Sequence, residues 1–595
     1  MNNIDLCMIV KNEEKYLREC LTNVKDLVEN IIIVDTGSTD NTIKIAEEFN
    51  AKIYNYTWIN DFSAARNFSI SKATSKWLLI LDADEILDLE SKDKLINFIN
   101  NTNKDGCHFL VKNYMNENLD DYTLHYAFRL VKNYRGYKFK GRIHEQISND
   151  NINIKNKFAK EDIILHHYGY LSSVTIEKNK RGRNIPIILE SLKDNPKDPF
   201  QLFNLGNEYL SENNLEKALE YYNKSYEYSD KTMLYSPHLL YRMSLSYKSL
   251  KLYELALKYV NEALSLYSPN VDFLYLQGLI YKEFKKPTMA IRSFEECIII
   301  GDSKSSIKFS EECGSTKPLL ALADLYYDFE DYNMALTKYT EVINNNPQKL
   351  YLLYKIGSCL NKLYEDKTIV ANNLLKYFSD SKLYTNRILL VDILIEEELF
   401  NEAKKIINET NYPENSKDYY YLEAILDFYN GNYRASFAKF LRVIEIEVSS
   451  TNIIGNIESK SYEYIFLISL IINDMEFYSL ILEKENDKIK IEIYKSLYEM
   501  YYEKPTKEIK FNTNIYLLFI ENLLYKLLII KEYDLFEKLI GILNYIDNNT
   551  ILISLAKVYD KANLKDLSVK YVLKSIKELN LINYEGINIL YKEIR

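Results

Sequence analysis

The stretch Asn30–Thr42, NIIIVDTGSTDNT, decides the fold because a strand and the start of a helix stand side by side in it. Its first six residues are mostly β-branched and apolar, which is typical of a buried strand. Ser38, Thr39 and Asp40 are residue types that cap helices, and the segment NTIKIAEEF follows them. We therefore predict a strand over 30–35, then a turn, then a helix.

The same alternation continues on both sides of this stretch. IDLCMIV at Ile4–Val10 is an apolar run that ends in KNEE, and apolar residues at three- and four-residue steps follow it. AKIYNYTW and KWLLILDADE are two further strand candidates. Apolar strands separated by helices predict a parallel sheet covered on both faces. Ligands of such sheets bind at the carboxyl ends of the strands, which here are KNEE, DTGSTD and DADE.

Composition narrows the class of protein. Only 15 Gly and 10 Pro among 595 residues are too few for a turn-rich β sandwich or barrel, so the chain should be mostly helical. A net charge of −10 argues against binding nucleic acid through bulk electrostatics. The six cysteines form no CxxC pair, which suits a reducing cytosol. Without a basic N-terminal region or an apolar run of ~20 residues, we expect a soluble, cytoplasmic protein that does not insert into membranes.

The second part of the sequence repeats. A small residue stands twelve positions before an alanine in four places: Gly206 and Ala218, Ser244 and Ala256, Gly278 and Ala290, Ala323 and Ala335. The steps from one of these alanines to the next are 38, 34 and 45 residues. The tetratricopeptide repeat has a period of ~34 residues, with small residues where its two helices cross. A generic helical bundle predicts no fixed intervals. We predict repeats that are clearest over 198–347, with weaker units around Ala403, Ala435 and Ala556, and such arrays form concave surfaces for peptides or proteins.

Residues that can carry chemistry concentrate in the first part. Both tryptophans and five of the six histidines lie before residue 170. Asp82 and Asp84 flank Ala83 at the end of the apolar run WLLIL. Alternation along an extended segment would put both carboxylates on one side, and such oxygen ligands suit Mg²⁺ or Mn²⁺. Alone this is a weak signal, because an Asp-x-Asp sequence is usually a solvated loop.

Other motifs close to this Asp-x-Asp pattern make it a specific signal. MIVKNEE, IIIVDTGSTDNT, NDFSAARN and LDADE follow one another near the N-terminus. This set resembles the inverting glycosyltransferases of family 2, which have a GT-A fold and use nucleotide-sugar donors. With tetratricopeptide repeats attached, the chain is most similar to flagellin O-glycosyltransferases and bacteriocin S-glycosyltransferases of bacteria. We expect an α/β, Rossmann-like GT-A catalytic domain over 1–175, a helical linker over 176–197 and an all-α repeat solenoid over 198–595.

The resemblance implies a donor site. Val10 at the end of the first strand, Asn12 and Glu13 after it, and Asp35 at the end of the second would line the pocket for the nucleotide, with Asp35 accepting a hydrogen bond from the base. Helix capping is the alternative for these polar residues. Arg66 would lie against the donor, where a guanidinium offsets diphosphate charge, although a plain surface ion pair is the alternative.

The resemblance also implies a divalent cation, Mn²⁺ or Mg²⁺. Asp82 and Asp84 would hold the cation together with the ribose and diphosphate. His167, in the sequence His-Tyr-Gly-Tyr, would complete the metal shell. His166 alternates to the other face of the strand and is expected to pack.

An inverting transfer needs a base that deprotonates the acceptor. Glu145 is the candidate base by resemblance, and His144 is second. The Glu-Asp or Thr-Glu-Asp triplet of many polysaccharide-making relatives is absent here, and a salt bridge between Glu145 and Arg142 is the alternative.

These roles imply an enzyme that moves a sugar, expected to be N-acetylglucosamine from UDP-GlcNAc, onto serine or threonine of a protein acceptor. A flagellin-like acceptor held by the repeats is the first choice. Transfer to a cysteine of a bacteriocin peptide is the second, and a polysaccharide enzyme is the third. A non-catalytic repeat adaptor is a function of a different class. A catalytic domain that had lost its activity should also have lost the aspartates of DTGSTD and LDADE, and both motifs are intact.

Overall fold

The structure is a computed structural model of the chain. It describes residues 3–114, 116, 119, 122–151, 154, 156–169, 180–302, 308–378, 383–413, 415–446, 453–474, 476–502 and 512–594. The chain divides into two compact units, Met1–Asp328 and Phe329–Arg595, which we describe one at a time.

The first unit begins with alternating strands and helices. The strands are β1 Ile4–Val10, β2 Asn30–Asp35, β3 Lys52–Asn55, β4 Trp77–Ile80, β5 Glu85–Leu87, β6 Gly106–Tyr114, β7 Tyr122–Lys132, β8 Lys138–Lys140, β9 Gln146–Ser148 and β10 Phe158–His167. The helices between them are α1 Leu17–Val24, α2 Thr42–Glu48, α3 Phe62–Ser71 and α4 Leu89–Asn101. The predicted strands at 4–10 and 30–35 are confirmed to the residue.

Eight strands form one sheet in the order β3-β2-β1-β4-β7-β6-β10-β5. The first four are parallel, as predicted. The sheet continues beyond these four predicted strands, where β7 runs antiparallel to β4 and to β6, β10 runs parallel to β6, and β5 runs antiparallel to β10. Strands β8 and β9 pair separately as an antiparallel hairpin.

Both faces of the parallel part are covered. Leu6 and Ile33 lie in a core cluster on one face with side chains of α1 and α4. Cys7 and Ile32, one position along each strand, belong to the cluster on the opposite face. This is the two-sided burial that near-continuous apolar strands predict. The carboxyl ends of β1 and β2 lie side by side because Val10 pairs with Asp35.

Helices follow the sheet in the described part of the first unit. They are Lys180–Asp194, Pro199–Ser211, Leu215–Tyr228, Ser236–Ser249, Tyr253–Tyr267, Val271–Glu283, Pro287–Ile300 and Thr316–Asp328. The predicted linker thus contains a helix of its own, and its predicted start at 176 lies outside the described residues. The first compact unit continues through the first repeats to Asp328.

Close helix crossing explains the regular intervals in the sequence. A Cβ atom on Gly206 would lie 2.4 Å from the ring of Tyr222, and one on Gly278 would lie 2.4 Å from the ring of Phe294. Both rings belong to the second helix of the same pair. The alanines twelve residues after these glycines, Ala218 and Ala290, are fully buried.

Part of the segment between Gly301 and Thr316 lies against the helices. We call residues 308–315 the strap. The ring of Phe309 stacks on Tyr241 with 4.2 Å between centroids and lies edge-on to His238 and Phe273. Buried Asp272 accepts hydrogen bonds from the backbone N–H of Phe309 and of Ser310, at 3.0 and 2.8 Å.

The strap also contacts the sheet. The backbone N–H of Leu124 donates to the carbonyl of Phe309 at 3.4 Å. Glu311 accepts a hydrogen bond from the hydroxyl of Tyr122 and pairs with Lys112, whose Nζ is 3.5 Å from its carboxylate. The strap therefore joins strands β6 and β7 to the first helices of two repeats.

The described part of the second unit is helical. Its α-helices are Tyr332–Asn345, Leu352–Leu363, Lys367–Leu375, Tyr384–Glu396, Phe400–Asn408, Lys417–Tyr429, Tyr433–Glu445, Ile457–Ile471, Glu476–Lys484, Lys488–Tyr501, Thr513–Ile529, Tyr533–Ile540, Ile551–Lys561, Lys565–Leu579 and Tyr584–Ile594. Ala403, Ala435 and Ala556, around which weaker repeats are predicted, each lie in one of these helices. No helix among the described residues has the length and apolarity to cross a bilayer.

Candidate active site

Two turns at the carboxyl ends of β1 and β2 are joined by hydrogen bonds. The side-chain oxygen of Asn12 accepts from the backbone N–H of Thr39 at 2.8 Å, and the N–H of Asn12 donates to the hydroxyl of Ser38 at 3.0 Å. The N–H of Glu13 donates to the hydroxyl of Thr42 at 2.7 Å. Asn12 has a positive φ of 55°, a conformation that asparagine tolerates well. The sequences KNEE and DTGSTDNT therefore build one rigid rim.

Asp35 shapes its own turn. Its carboxylate accepts from the backbone N–H of Gly37 and of Ser38, at 3.1 and 3.0 Å. The carbonyl of Val10 accepts from Thr36. Asn41 holds the N-cap position of α2 and makes no side-chain cap bond, but the carboxylate of Asp40 accepts from the backbone N–H of Thr42 at 3.0 Å, so one of the predicted capping residues does bond the start of the helix.

The Asp82–Asp84 segment is a turn, which corrects the expectation of an extended segment. Strand β4 ends at Ile80, and the N–H of Glu85 donates back to the carbonyl of Asp82 at 3.1 Å. The N–H of Tyr168 donates to the carbonyl of Asp84 at 3.1 Å. The turn, and not strand alternation, therefore sends Asp82 toward α3 and Asp84 toward the end of β10.

Arg66, on α3, connects two carboxylates. Its guanidinium donates to Asp82 at 2.7 Å through a terminal nitrogen and to Glu145 through Nε. The side chains of Arg66 and Glu145 are only 11% and 12% exposed. Burial opposes the charge on Arg66, but the two carboxylates outweigh it and raise the pKa of the guanidinium. The surface ion pair considered for Arg66 is thus a buried one inside the site.

The alternative pairing for Glu145 is wrong in the described structure. Arg142 lies 3.6 Å from the carboxylate of Glu190 and not against Glu145. Glu145 precedes the short strand β9, so the hairpin formed by β8 and β9 carries it to Arg66. Its neighbour His144 has a positive φ of 52° and places Nε2 3.9 Å from Glu208, and burial lowers the pKa of this imidazole.

A second arginine was not predicted from the sequence. Arg129 on β7 forms a two-bond pair with the buried Glu85, at 2.9 and 2.6 Å, and its guanidinium is 3.9 Å from Asp82. Burial raises the pKa of Asp82, but Arg66 and then Arg129 outweigh it, so the net shift is downward. Glu85 stands in the motif LDADE, but no local pattern marks Arg129.

Asp84 and His167 face each other. The Nε2 atom of His167 is 3.5 Å from the carboxylate of Asp84, and its Nδ1 atom is 2.7 Å from the side-chain oxygen of Asn113. His166 points to the other face of β10, where its ring stacks on Tyr114. The side-chain amide of Asn113 also contacts His125, at 2.8 Å, and burial lowers the pKa of His125 to about 3.

These donors fit a divalent cation bound together with a diphosphate. Asp84 offers oxygen and His167 offers nitrogen, and Mg²⁺ usually takes one or two protein carboxylates plus phosphate oxygens. Asp82 is engaged by Arg66 and is next to the same turn. Among the described residues no three His, Cys, Asp or Glu side chains group closely enough to ligate a metal alone.

Two parts of the sequence match models of known protein families. Residues 5–161 match the profile of Glycosyl transferase family 2, and residues 202–232, 237–270 and 271–298 match the Tetratricopeptide repeat. The chain therefore joins a family 2 glycosyltransferase domain of α/β fold to a helical tetratricopeptide solenoid. The residues matched by the first profile include Asp82, Asp84, Arg66 and Glu145.

Individual relatives are similar to parts of this sequence. The SPbeta prophage-derived glycosyltransferase SunS of Bacillus subtilis is 34% identical over 37% of this chain and 52% of its own length. A TPR repeat-containing protein of Synechococcus elongatus is 30% identical over 41% of this chain and 62% of its own length. The chain thus spans about half to three fifths of the curated relatives it matches.

A solved structure of glucosyl-3-phosphoglycerate synthase from Mycobacterium tuberculosis, in complex with Mn²⁺, uridine diphosphate and phosphoglyceric acid, is 19% identical. It covers 19% of this chain and 43% of its own length with a TM-score of 0.17. A tetratricopeptide repeat protein from Parabacteroides merdae is 13% identical over 44% of this chain and 98% of its own, with a TM-score of 0.26.

Proposed function

We propose that the chain is a metal-dependent inverting glycosyltransferase that moves N-acetylglucosamine from UDP-GlcNAc to serine or threonine of a protein. One observation carries the proposal. Asp82, Asp84, Arg66, Glu145 and His167 meet at the carboxyl ends of the sheet strands, although they come from separate elements. A site of this composition suits the transfer of a group away from a diphosphate.

The donor occupies the rim built by the two joined turns. Asp35 accepts from the uracil, and Asn12 and Glu13 line the pocket beside it. Asp84 and His167 would hold the cation, which when bound would supply positive charge to offset the charge on the leaving diphosphate. Arg66 adds a guanidinium next to Asp82 and so contributes a fixed positive charge to the same place.

Glu145 is the proposed base. One of its oxygens accepts from Arg66, and the other takes the proton of the acceptor hydroxyl as that oxygen attacks the sugar. The buried pair with Arg66 fixes the direction of the carboxylate, which is what a general base requires. His144 next to it is the second candidate.

The repeats hold the acceptor. Their regular packing of small residues against rings builds an extended surface, and tetratricopeptide arrays commonly bind peptides and proteins. A flagellin-like protein is the acceptor that we propose, and transfer to cysteine of a small peptide is the alternative outcome.

The test is intact-mass analysis of acceptors after incubation with the full chain, Mn²⁺ and a panel of nucleotide sugars. Purified flagellin and a cysteine-containing peptide are the two acceptors. We expect one hexosamine-sized increment on flagellin with UDP-GlcNAc, and its loss in Asp84→Ala. Asp150→Ala is the matched control, because Asp150 forms an exposed pair with Lys140 away from these residues.

The outcomes of this experiment distinguish the acceptor atom, the need for a metal and the presence of enzyme activity. Modification of the peptide cysteine alone would replace serine or threonine by sulfur as the acceptor atom. Full activity of Asp84→Ala, or of the wild-type chain in excess chelator, would refute metal dependence. No modification and no donor hydrolysis with any sugar would refute the enzyme and favour a repeat adaptor.

A further inference from the structure

Asn113 on β6 occupies a buried position between two histidines. Its side chain is 4% exposed. The oxygen of its amide is 2.7 Å from Nδ1 of His167, and the nitrogen is 2.8 Å from Nδ1 of His125. Register explains the placement, because Asn113 pairs directly with His167 on β10 and with Thr123 on β7.

The orientation of the amide is determined by Thr123. The nitrogen of Asn113 lies 3.4 Å from the backbone carbonyl of Thr123, an atom that can only accept. The amide oxygen must then face His167, and this contact requires a hydrogen on Nδ1 of that ring. A neutral imidazole with hydrogen on Nδ1 carries its lone pair on Nε2, the atom that faces Asp84 at 3.5 Å.

We infer that Asn113 is a positioning residue that fixes His167 in the form whose Nε2 lone pair binds the divalent cation beside Asp84. The inference rests on the proposed function, since it assumes that His167 and Asp84 hold a metal. His125 stabilises the same orientation of the Asn113 side chain. Its Nδ1 accepts a hydrogen bond from the amide nitrogen, and a rotated amide would lose that bond. Ligating histidines generally depend on such a partner on the second ring nitrogen.

The test measures metal binding and not turnover. Mn²⁺ is titrated into the full chain saturated with UDP, and the dissociation constant is obtained by calorimetry. We expect Asn113→Leu to weaken Mn²⁺ binding by about 10–100-fold, because His167 loses the partner that selects its tautomer. Asn113→Asp should stay within a few-fold of wild type, because a carboxylate still accepts from Nδ1.

A matched control separates positioning from general damage. Asn133 also uses its side-chain amide inside the first unit, where it donates to the carbonyls of Ala73 and Ser75 at 3.3 and 3.0 Å. Asn133→Leu should lower the melting temperature and leave the affinity for Mn²⁺ unchanged. UDP affinity without metal should be the same in all of these variants.

The possible failures are distinguishable. If wild type shows no Mn²⁺ binding in the presence of UDP, the proposed metal site fails and this inference fails with it. If wild type binds and Asn113→Leu binds equally well, only the role of Asn113 is refuted. Equal losses in Asn113→Leu and Asn113→Asp would also refute the selection of the tautomer, because the aspartate keeps the acceptor.

Discussion

Replacing Arg66 by methionine tests whether the pair of carboxylates depends on this guanidinium. The substitution keeps an apolar stem but removes the charge shared by Asp82 and Glu145. Removing one partner of a buried ion pair typically costs about 3–5 kcal/mol in the free energy of unfolding. The carboxylates of Asp82 and Glu145 would then lack the guanidinium that lies between them.

This loss in the free energy of unfolding can be expressed as a decrease in melting temperature. An unfolding entropy of about 2.1 cal/mol/K per residue gives about 0.7 kcal/mol/K for the unit that ends at Asp328. The first calorimetric transition of Arg66→Met should therefore fall by about 4–7 °C. Arg18→Met is the control, because Arg18 and Glu48 form a two-bond pair at the surface with side chains 53% and 51% exposed, and solvent screens such exposed pairs so that they add little to stability.

A double-mutant cycle completes the experiment. Glu145→Gln removes one of the two charges left behind, so in the Arg66→Met background it should cost less than in the wild-type chain, or even raise the melting temperature. Strictly additive effects of the two substitutions, or a melting temperature of Arg66→Met equal to that of Arg18→Met, would refute the reasoning.

Three other predictions concern the base, the repeats and the strap. Glu145→Gln should lower transfer from UDP-GlcNAc to flagellin by about 10²–10⁴ in steady-state assays while donor binding stays within a few-fold, and an unchanged rate would contradict its role as base. Gly278→Ala should destabilise by about 1–3 kcal/mol, because the added Cβ meets the ring of Phe294 at 2.4 Å, whereas Gly455→Ala, with open space around it, should be neutral in the same thermal melts. Burial raises the pKa of Asp272 to about 6, above its value in the unfolded chain, so its ionisation reduces stability as pH rises through that range. Asp272→Asn keeps an acceptor for the strap and should melt higher than wild type at pH 8 but not at pH 5; an equal difference at both pH values would count against this explanation.

The elements that could be predicted are those whose signal is local. Strands β1 and β2 each carry an uninterrupted apolar run, and burial on both faces of the sheet requires such runs. The repeats could be predicted because Gly206 and Gly278 must admit a ring at a fixed distance along the chain. Both signals lie within a few dozen residues.

The half of the sheet that contains β7, β6, β10 and β5 had no comparable signal. Strand β7 reads YTLHYAFRLVK, in which polar and apolar side chains mix, and its partners on β4 and β6 are set by tertiary pairing. Arg129 and Asn113 therefore could not be assigned to the site from sequence, because each reaches it only through the register of strands distant along the chain. Asp84 is a candidate from sequence because LDADE follows the other motifs that carry the family resemblance, and not because of its own spacing from Asp82.

The strap affects when the contacts of strand β7 can form during synthesis of the chain. Strand β7 leaves the ribosome about 180 residues before Phe309, whose carbonyl accepts from Leu124 of that strand. At a synthesis rate of roughly 5–20 residues per second, the delay is on the order of 10–40 seconds. During this interval Leu124 cannot make its bond to the strap, so this contact of the sheet forms only after the residues that match the tetratricopeptide profile have been synthesised.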